Sequence, residues 1–96
     1  MKLLMIFVDR AHADEVRDLL ETMDVAGYSR FPNVTGKGLT GHKLGTRAFP
    51  GSSELFVTAL GENRCDALVT RLERLKSERS EDEGLKVYCL NTEELL

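Results

Sequence analysis

An α+β fold, a four-stranded antiparallel sheet with two helices on one face, is what this sequence predicts. Three observations carry the prediction. Four short stretches, 2–8, 28–34, 53–60 and 85–90, have the patterning of strands. Two stretches between them, 13–23 and 64–78, repeat apolar residues at helical spacing. The order is β-α-β-β-α-β, and two such halves in 96 residues make a ferredoxin-like plait in one domain, 1–96.

The first strand is apolar on both sides: Leu3, Met5 and Phe7 point one way, Leu4, Ile6 and Val8 the other. The apolar run stops at Asp9-Arg10. That is too short for a membrane span, and no small-residue cleavage site follows, so a cytoplasmic protein that is not membrane-embedded is expected. Asp9 to His12 reads as a short connection. In the first helix Val16, Leu19, Leu20 and Met23 form one stripe, and Asp14 and Glu15 sit in the first turn, where the positive helix end favours them. Gly27 is expected to end this helix in a left-handed conformation.

Tyr28 to Val34 reads as the second strand. Pro32 cannot donate to a ladder, so the strand is expected to lie at an edge or to be irregular at that point. In the third strand Leu55, Val57 and Ala59 alternate with Phe56, Thr58 and Leu60. Gly61 to Asn63 reads as a turn, with Asn63 as N-cap of the second helix. That helix carries Cys65, Leu68, Val69, Leu72 and Leu75 as its stripe. The last strand sets Leu85, Val87 and Cys89 against Lys86, Tyr88 and Leu90, with Cys89 expected as a small core residue. The tail from Asn91 is expected to form a last helical turn or to pack on a neighbour. Strands one, three and four are apolar on both faces, so assembly with other copies is expected to cover the second face.

Charge is distributed by segment. The net charge of -3 argues against a nucleic-acid partner. Yet 25–53 has four basic residues, Arg30, Lys37, Lys43 and Arg47, and no acidic one, while both flanks are acidic. Within it the connection 35–51 holds five of the eight glycines. A hairpin connection of roughly 17 residues exceeds the common range, and such loops tend to carry function. Its glycines let backbone N–H groups approach an anion, and its lysines and arginine add charge.

Gly36-Lys-Gly-Leu-Thr-Gly41 matches G-x-G-x-x-G, but a dinucleotide fingerprint must open a helix, and two more glycines and Pro50 follow instead. A Walker A loop is excluded because His42 follows Gly41. No nucleophile–base pair has suggestive spacing, so catalysis is not expected. The two cysteines form no C-x-x-C pair, which disfavours a zinc knuckle and fits a reducing compartment.

The chain resembles the PII signal-transduction superfamily over nearly its whole length. The resemblance rests on Met1-Lys-Leu-Leu in strand one, Ala13-Asp-Glu-Val-Arg-Asp-Leu-Leu in the helix, and Val25-Ala-Gly-Tyr-Ser before strand two. It rests also on Val34-Thr-Gly-Lys-Gly38, similar to the V-x-G-x-G that opens that family's T-loop, and on Glu83-Gly-Leu-Lys-Val87 at the end of its B-loop. It implies a homotrimer that binds an adenine nucleotide between subunits, needs no other cofactor, and docks through the loop on a transporter or enzyme. Gly36, Lys37, Gly38, Gly84 and Lys86 would hold the ligand. Thr40, His42, Lys43, Arg47 and Phe49 would meet the partner.

Two departures qualify what is implied. The T-loop-like segment 35–51 is short and has no tyrosine. The family's T-G-x-x-G-D-G-K is replaced by Ser80-Glu-Asp-Glu-Gly84, and three carboxylates there would repel phosphate. Each pair of like charges at 4 Å costs about 1 kcal/mol in water and more when desolvated. An alternative of another class is a metal-handling protein of the CutA-like trimeric type, using His42, Cys89 or the acidic residues. A third is an acylphosphatase-sized enzyme dependent on Arg47, although its phosphate loop is not visible.

Overall fold

A computed structural model describes residues 1–36, 52–78 and 84–96. Strand β1 spans Lys2–Asp9 and runs through a 3₁₀ turn, Arg10–His12, into helix α1, Ala13–Thr22. Strands β2, Ser29–Val34, and β3, Ser53–Leu60, follow. Helix α2, Glu62–Ser77, leads to β4, Leu85–Asn91. The sheet order is β2-β3-β1-β4 and every pairing is antiparallel, so the predicted ferredoxin-like α+β plait is the fold.

Register assigns the faces. Leu4, Ile6 and Val8 pair with Thr58, Phe56 and Glu54, and with Cys89, Val87 and Leu85. Cross-strand partners share a face, so these residues form one side of the sheet. Val16 and Leu20 of α1 and Cys65, Leu68 and Leu72 of α2 cover it, and together they make the core. Leu3, Met5 and Phe7 line the other side with Leu55, Val57, Phe31, Tyr88 and Leu90. Among the described residues no helix covers that side, and Phe31, Tyr88 and Leu90 are 49%, 53% and 52% exposed.

Several expectations about helix and strand ends need correction. α1 closes at Asp24, not Gly27. Asp24 takes φ 57°, its N–H reaches the Glu21 carbonyl at 3.1 Å, and the Val25 N–H reaches Leu20 at 3.1 Å. This is a Schellman cap with aspartate in the left-handed position, and Val25 adds its apolar contact with the core. Arg64 Nη2 donates to the Met23 and Asp24 carbonyls at 2.9 and 2.8 Å, supplying from α2 what a glycine cap would otherwise leave to water.

At the start of α2, Gly61 is the N-cap and no side chain caps the helix, so Asn63 lies inside the first turn instead of capping it. Cys89 is exposed rather than a core residue. It lies on the helix-facing side, but on an edge strand near its end. The tail after Asn91 forms no helix. The Thr92 N–H bonds to the Met1 carbonyl at 3.0 Å, and Leu95 and Leu96 are exposed.

Strand β2 is an edge, as Pro32 requires. Its register slips between Phe31, opposite Leu55, and Val34, opposite Ser53, with Asn33 at φ 58°. One extra residue on β2 is therefore accommodated as a bulge, which breaks the simple alternation.

Candidate functional site at the loop end of the sheet

The antiparallel ladders bring four strand ends together. Asp9 at the end of β1 lies opposite Ser53 at the start of β3, and Val8 lies opposite Leu85 at the start of β4. Val34, at the end of β2, is also opposite Ser53. The β2–β3 connection therefore leaves and rejoins the sheet at the same end at which the chain from α2 enters β4. Of the predicted ligand residues, Gly36 stands at the stem of the first connection, Gly84 at the end of the second, and Lys86 two residues beyond Gly84 in β4.

Lys86 is exposed and pairs with Phe7. Among the described residues nothing lies within 4 Å of where a Cβ on Gly36 would point. Lys37, Gly38, Thr40, His42, Lys43, Arg47 and Phe49 lie outside the described residues, as do Glu81, Asp82 and Glu83.

Gly84 is fixed by sterics. A Cβ there would land on the Asp9 carboxylate. The Asp9 N–H also donates to the Gly84 carbonyl at 2.9 Å, so β1 and the start of β4 meet backbone to backbone at this point. Only a residue without a side chain permits that approach. Asp9 is itself 4% exposed. His12 Nδ1 donates to its Oδ2 at 2.7 Å, because a carboxylate can only accept. That contact fixes the tautomer and leaves Nε2 as the acceptor of the neutral ring. The pair was not anticipated from sequence, although the D-x-x-H spacing across a tight turn was its available signal.

A second buried carboxylate stands nearby on the covered face. Glu54, 7% exposed, accepts from Arg30 Nε at 2.6 Å, and Arg30 Nη2 also reaches Asp14 at 3.1 Å. The hydrogen bond to Glu54 is the main cause that raises the Arg30 guanidinium's pKa. Arg30 also lies over the Phe56 ring, 5.3 Å from its centroid. Arg30 is thus a structural cation joining β2, β3 and α1, and its charge is already matched.

Ser52, at the stem of the first connection, has a buried hydroxyl without a partner among the described residues. The described rim therefore combines a glycine fitted against a carboxylate, a histidine held by that carboxylate, an orphaned hydroxyl and the exposed Lys86. Among the described residues no group of three His, Cys, Asp or Glu side chains could hold a metal ion, and no helix is long and apolar enough to cross a membrane.

The architecture is that of PII-like proteins. The chain is similar to a nitrogen regulatory PII-like protein, CPII, from Thiomonas intermedia K12. Against its apo form the TM-score is 0.69 at 21% identity, covering 93% of this chain and 85% of that one. Against the form bound to ADP and bicarbonate the values are 0.70 and 25%, covering 93% and 82%. A PII-like signalling protein from Thermus thermophilus gives 0.66 at 18% identity, covering 95% and 85%. No protein-family model and no curated protein sequence matches the chain. The fold is therefore PII-like and the sequence divergent within it.

Proposed function

We propose that this chain is a non-enzymatic PII-like regulator that senses a small anionic ligand, an adenine nucleotide in the first instance. One observation supports this reading above the others. The Gly36 and Gly84 connections share one end of a sheet whose fold matches a protein solved with ADP and bicarbonate. In this reading three copies associate through the uncovered apolar face. Gly36, Lys37, Gly38, Gly84 and Lys86 line a pocket between copies, and the segment 39–50 carries the state to a cytoplasmic face of a transporter or to an enzyme. Cationic Lys37, Lys43 and Arg47 suit an anionic ligand or partner surface. The Asp9 carboxylate against Gly84 and the acidic residues 81–83 work against a highly charged phosphate, which favours nucleotides with fewer phosphates over ATP.

Calorimetric titration of the full chain with ATP, ADP, AMP and cyclic AMP, with and without bicarbonate, tests this. At about 100 μM protein, weak binding is still detectable. Heat is expected with at least one nucleotide, and Lys86→Glu is expected to abolish it. No heat with any of them removes the nucleotide reading. A stoichiometric metal in protein purified without a tag, lost on His42→Ala, would replace it with the metal-handling alternative.

A further inference from the structure

We propose that Cys65 and Cys89 are a reversible dithiol site that a low-molecular-weight disulfide oxidises to an intramolecular disulfide, stapling the first helical turns of α2 to the edge strand β4. The two Sγ atoms lie 3.8 Å apart across the helix–sheet interface, and both thiols are free. A disulfide needs about 2.05 Å between sulfurs. The remaining approach is within reach of a side-chain rotation at Cys89, which is exposed on a strand hydrogen-bonded on one side only. Neither the proposed ligand pocket nor the core packing uses the Cys89 thiol.

The two thiols differ in the way that sequential exchange requires. Cys65 is 3% exposed, and burial, followed by the hydrogen bond with Cys89, pushes its thiol up to about 11. Asp66 on α2 pushes in the same direction and Lys2 on β1 opposes it. Cys65 is therefore a poor first nucleophile at neutral pH. Cys89 is the thiol that an external reagent meets. Its thiolate attacks one sulfur of the reagent's disulfide, forming a mixed disulfide and releasing one thiolate, which takes up a proton. The Cys65 thiolate then attacks the Cys89 sulfur and releases the second thiol, which receives the Cys65 proton. Two protein thiols and one disulfide become one protein disulfide and two small thiols, so electrons and protons balance.

The bond would close a loop between residues 24 apart, containing most of α2, the connection 78–84 and the first half of β4. The oxidised form therefore holds Gly84 and Lys86 on a segment tied down at both ends. This consequence is independent of whether a nucleotide binds there.

Treatment of the full chain with oxidised glutathione tests the proposal. Both thiols are expected to disappear, with loss of two hydrogens in intact mass, a single peptide pair linking 65 to 89, and no dimer on a non-reducing gel. The melting temperature is expected to rise by roughly 5 °C or more and to return on reduction. Cys65→Ala is expected to stop at a glutathione adduct on Cys89, and Cys89→Ser to be unreactive while folded. A persistent Cys89 adduct in the unaltered chain overturns the proposal, as does a dimer linked through Cys89. Thiols that react only in urea overturn it too. Should Cys65→Ala fail to fold, reaction of Cys65 in folded Cys89→Ser at the rate of the unaltered chain would still overturn the assigned order.

Discussion

The two faces of the sheet are made from the same strands and nearly the same kinds of residue, yet they end in opposite environments. Leu4, Ile6, Val8 and Phe56 are wholly buried under the helices, whereas Phe31, Tyr88 and Leu90 on the other face are about half exposed. Apolar content alone does not distinguish them. The covered face also admits Glu54 and Thr58, each with a hydrogen-bonding partner: Arg30 for Glu54, and the Gly27 carbonyl at 2.6 Å for Thr58. The open face carries no such internal network among its described apolar strand residues. One face is finished within the chain, and the other has the composition of a surface meant to be covered.

Substitutions on paired positions can break this comparison. The largest effect is expected from Phe56→Ala, which removes a fully buried ring in contact with Tyr28 and Arg30. A loss of about 3–5 kcal/mol in urea unfolding is expected. Its sequence neighbour Val57, facing the other way, is expected to cost less than about 1 kcal/mol as alanine in a dilute monomer. If copies of the chain cover that face, the gap between the two narrows with protein concentration.

Glu54→Ala is expected to cost about 2 kcal/mol, because it strips the half-buried Arg30 of its closer partner. Arg30→Ala should cost a similar amount, and the double variant less than the sum. Gly84→Ala is expected to cost about 1–3 kcal/mol through overpacking against Asp9, and Asp9→Gly in the same chain should recover part of it.

Alkaline pH probes the covered face differently. The Cys65 thiol is raised from 9.0 to about 11 in the folded chain, so its contribution is fully present below pH 9 and is lost as pH rises towards 11. The total lost should be about 3 kcal/mol, and Cys65→Ala should flatten that part of the profile. The smallest effect on the monomer fold is expected from Leu90→Lys, within about 0.5 kcal/mol. The same change should have the clearest effect on assembly, seen in sedimentation as a shift to smaller species.

Most of the fold was legible because burial imposes a period. Strands and helices fell within about two residues of where alternation and the helical stripe placed them, in the usual range for element ends. What was not legible depended on partners distant in sequence. A left-handed cap at Asp24 rather than Gly27 becomes favourable because Arg64, 40 residues away, takes the freed carbonyl. Cys89 sits in an apolar alternation, and only its place on an edge strand exposes it. Glu54 alternates with Phe56, Thr58 and Leu60, so its inward direction was readable, but its pairing with Arg30 needed the register. The candidate site was legible as two glycine-bearing connections. The fit of Gly84 against Asp9 and the His12 contact required the sheet order.

That sheet order also bears on how the chain is made. β1 is first in sequence but lies between β3 and β4, and β2 does not touch it. On a ribosome, the most apolar strand has no ladder partner until residues 53–60 have left the exit tunnel. The first 34 residues contain two strands that never pair with each other. Until β3 is available, β1 is an exposed apolar segment with no ladder to join.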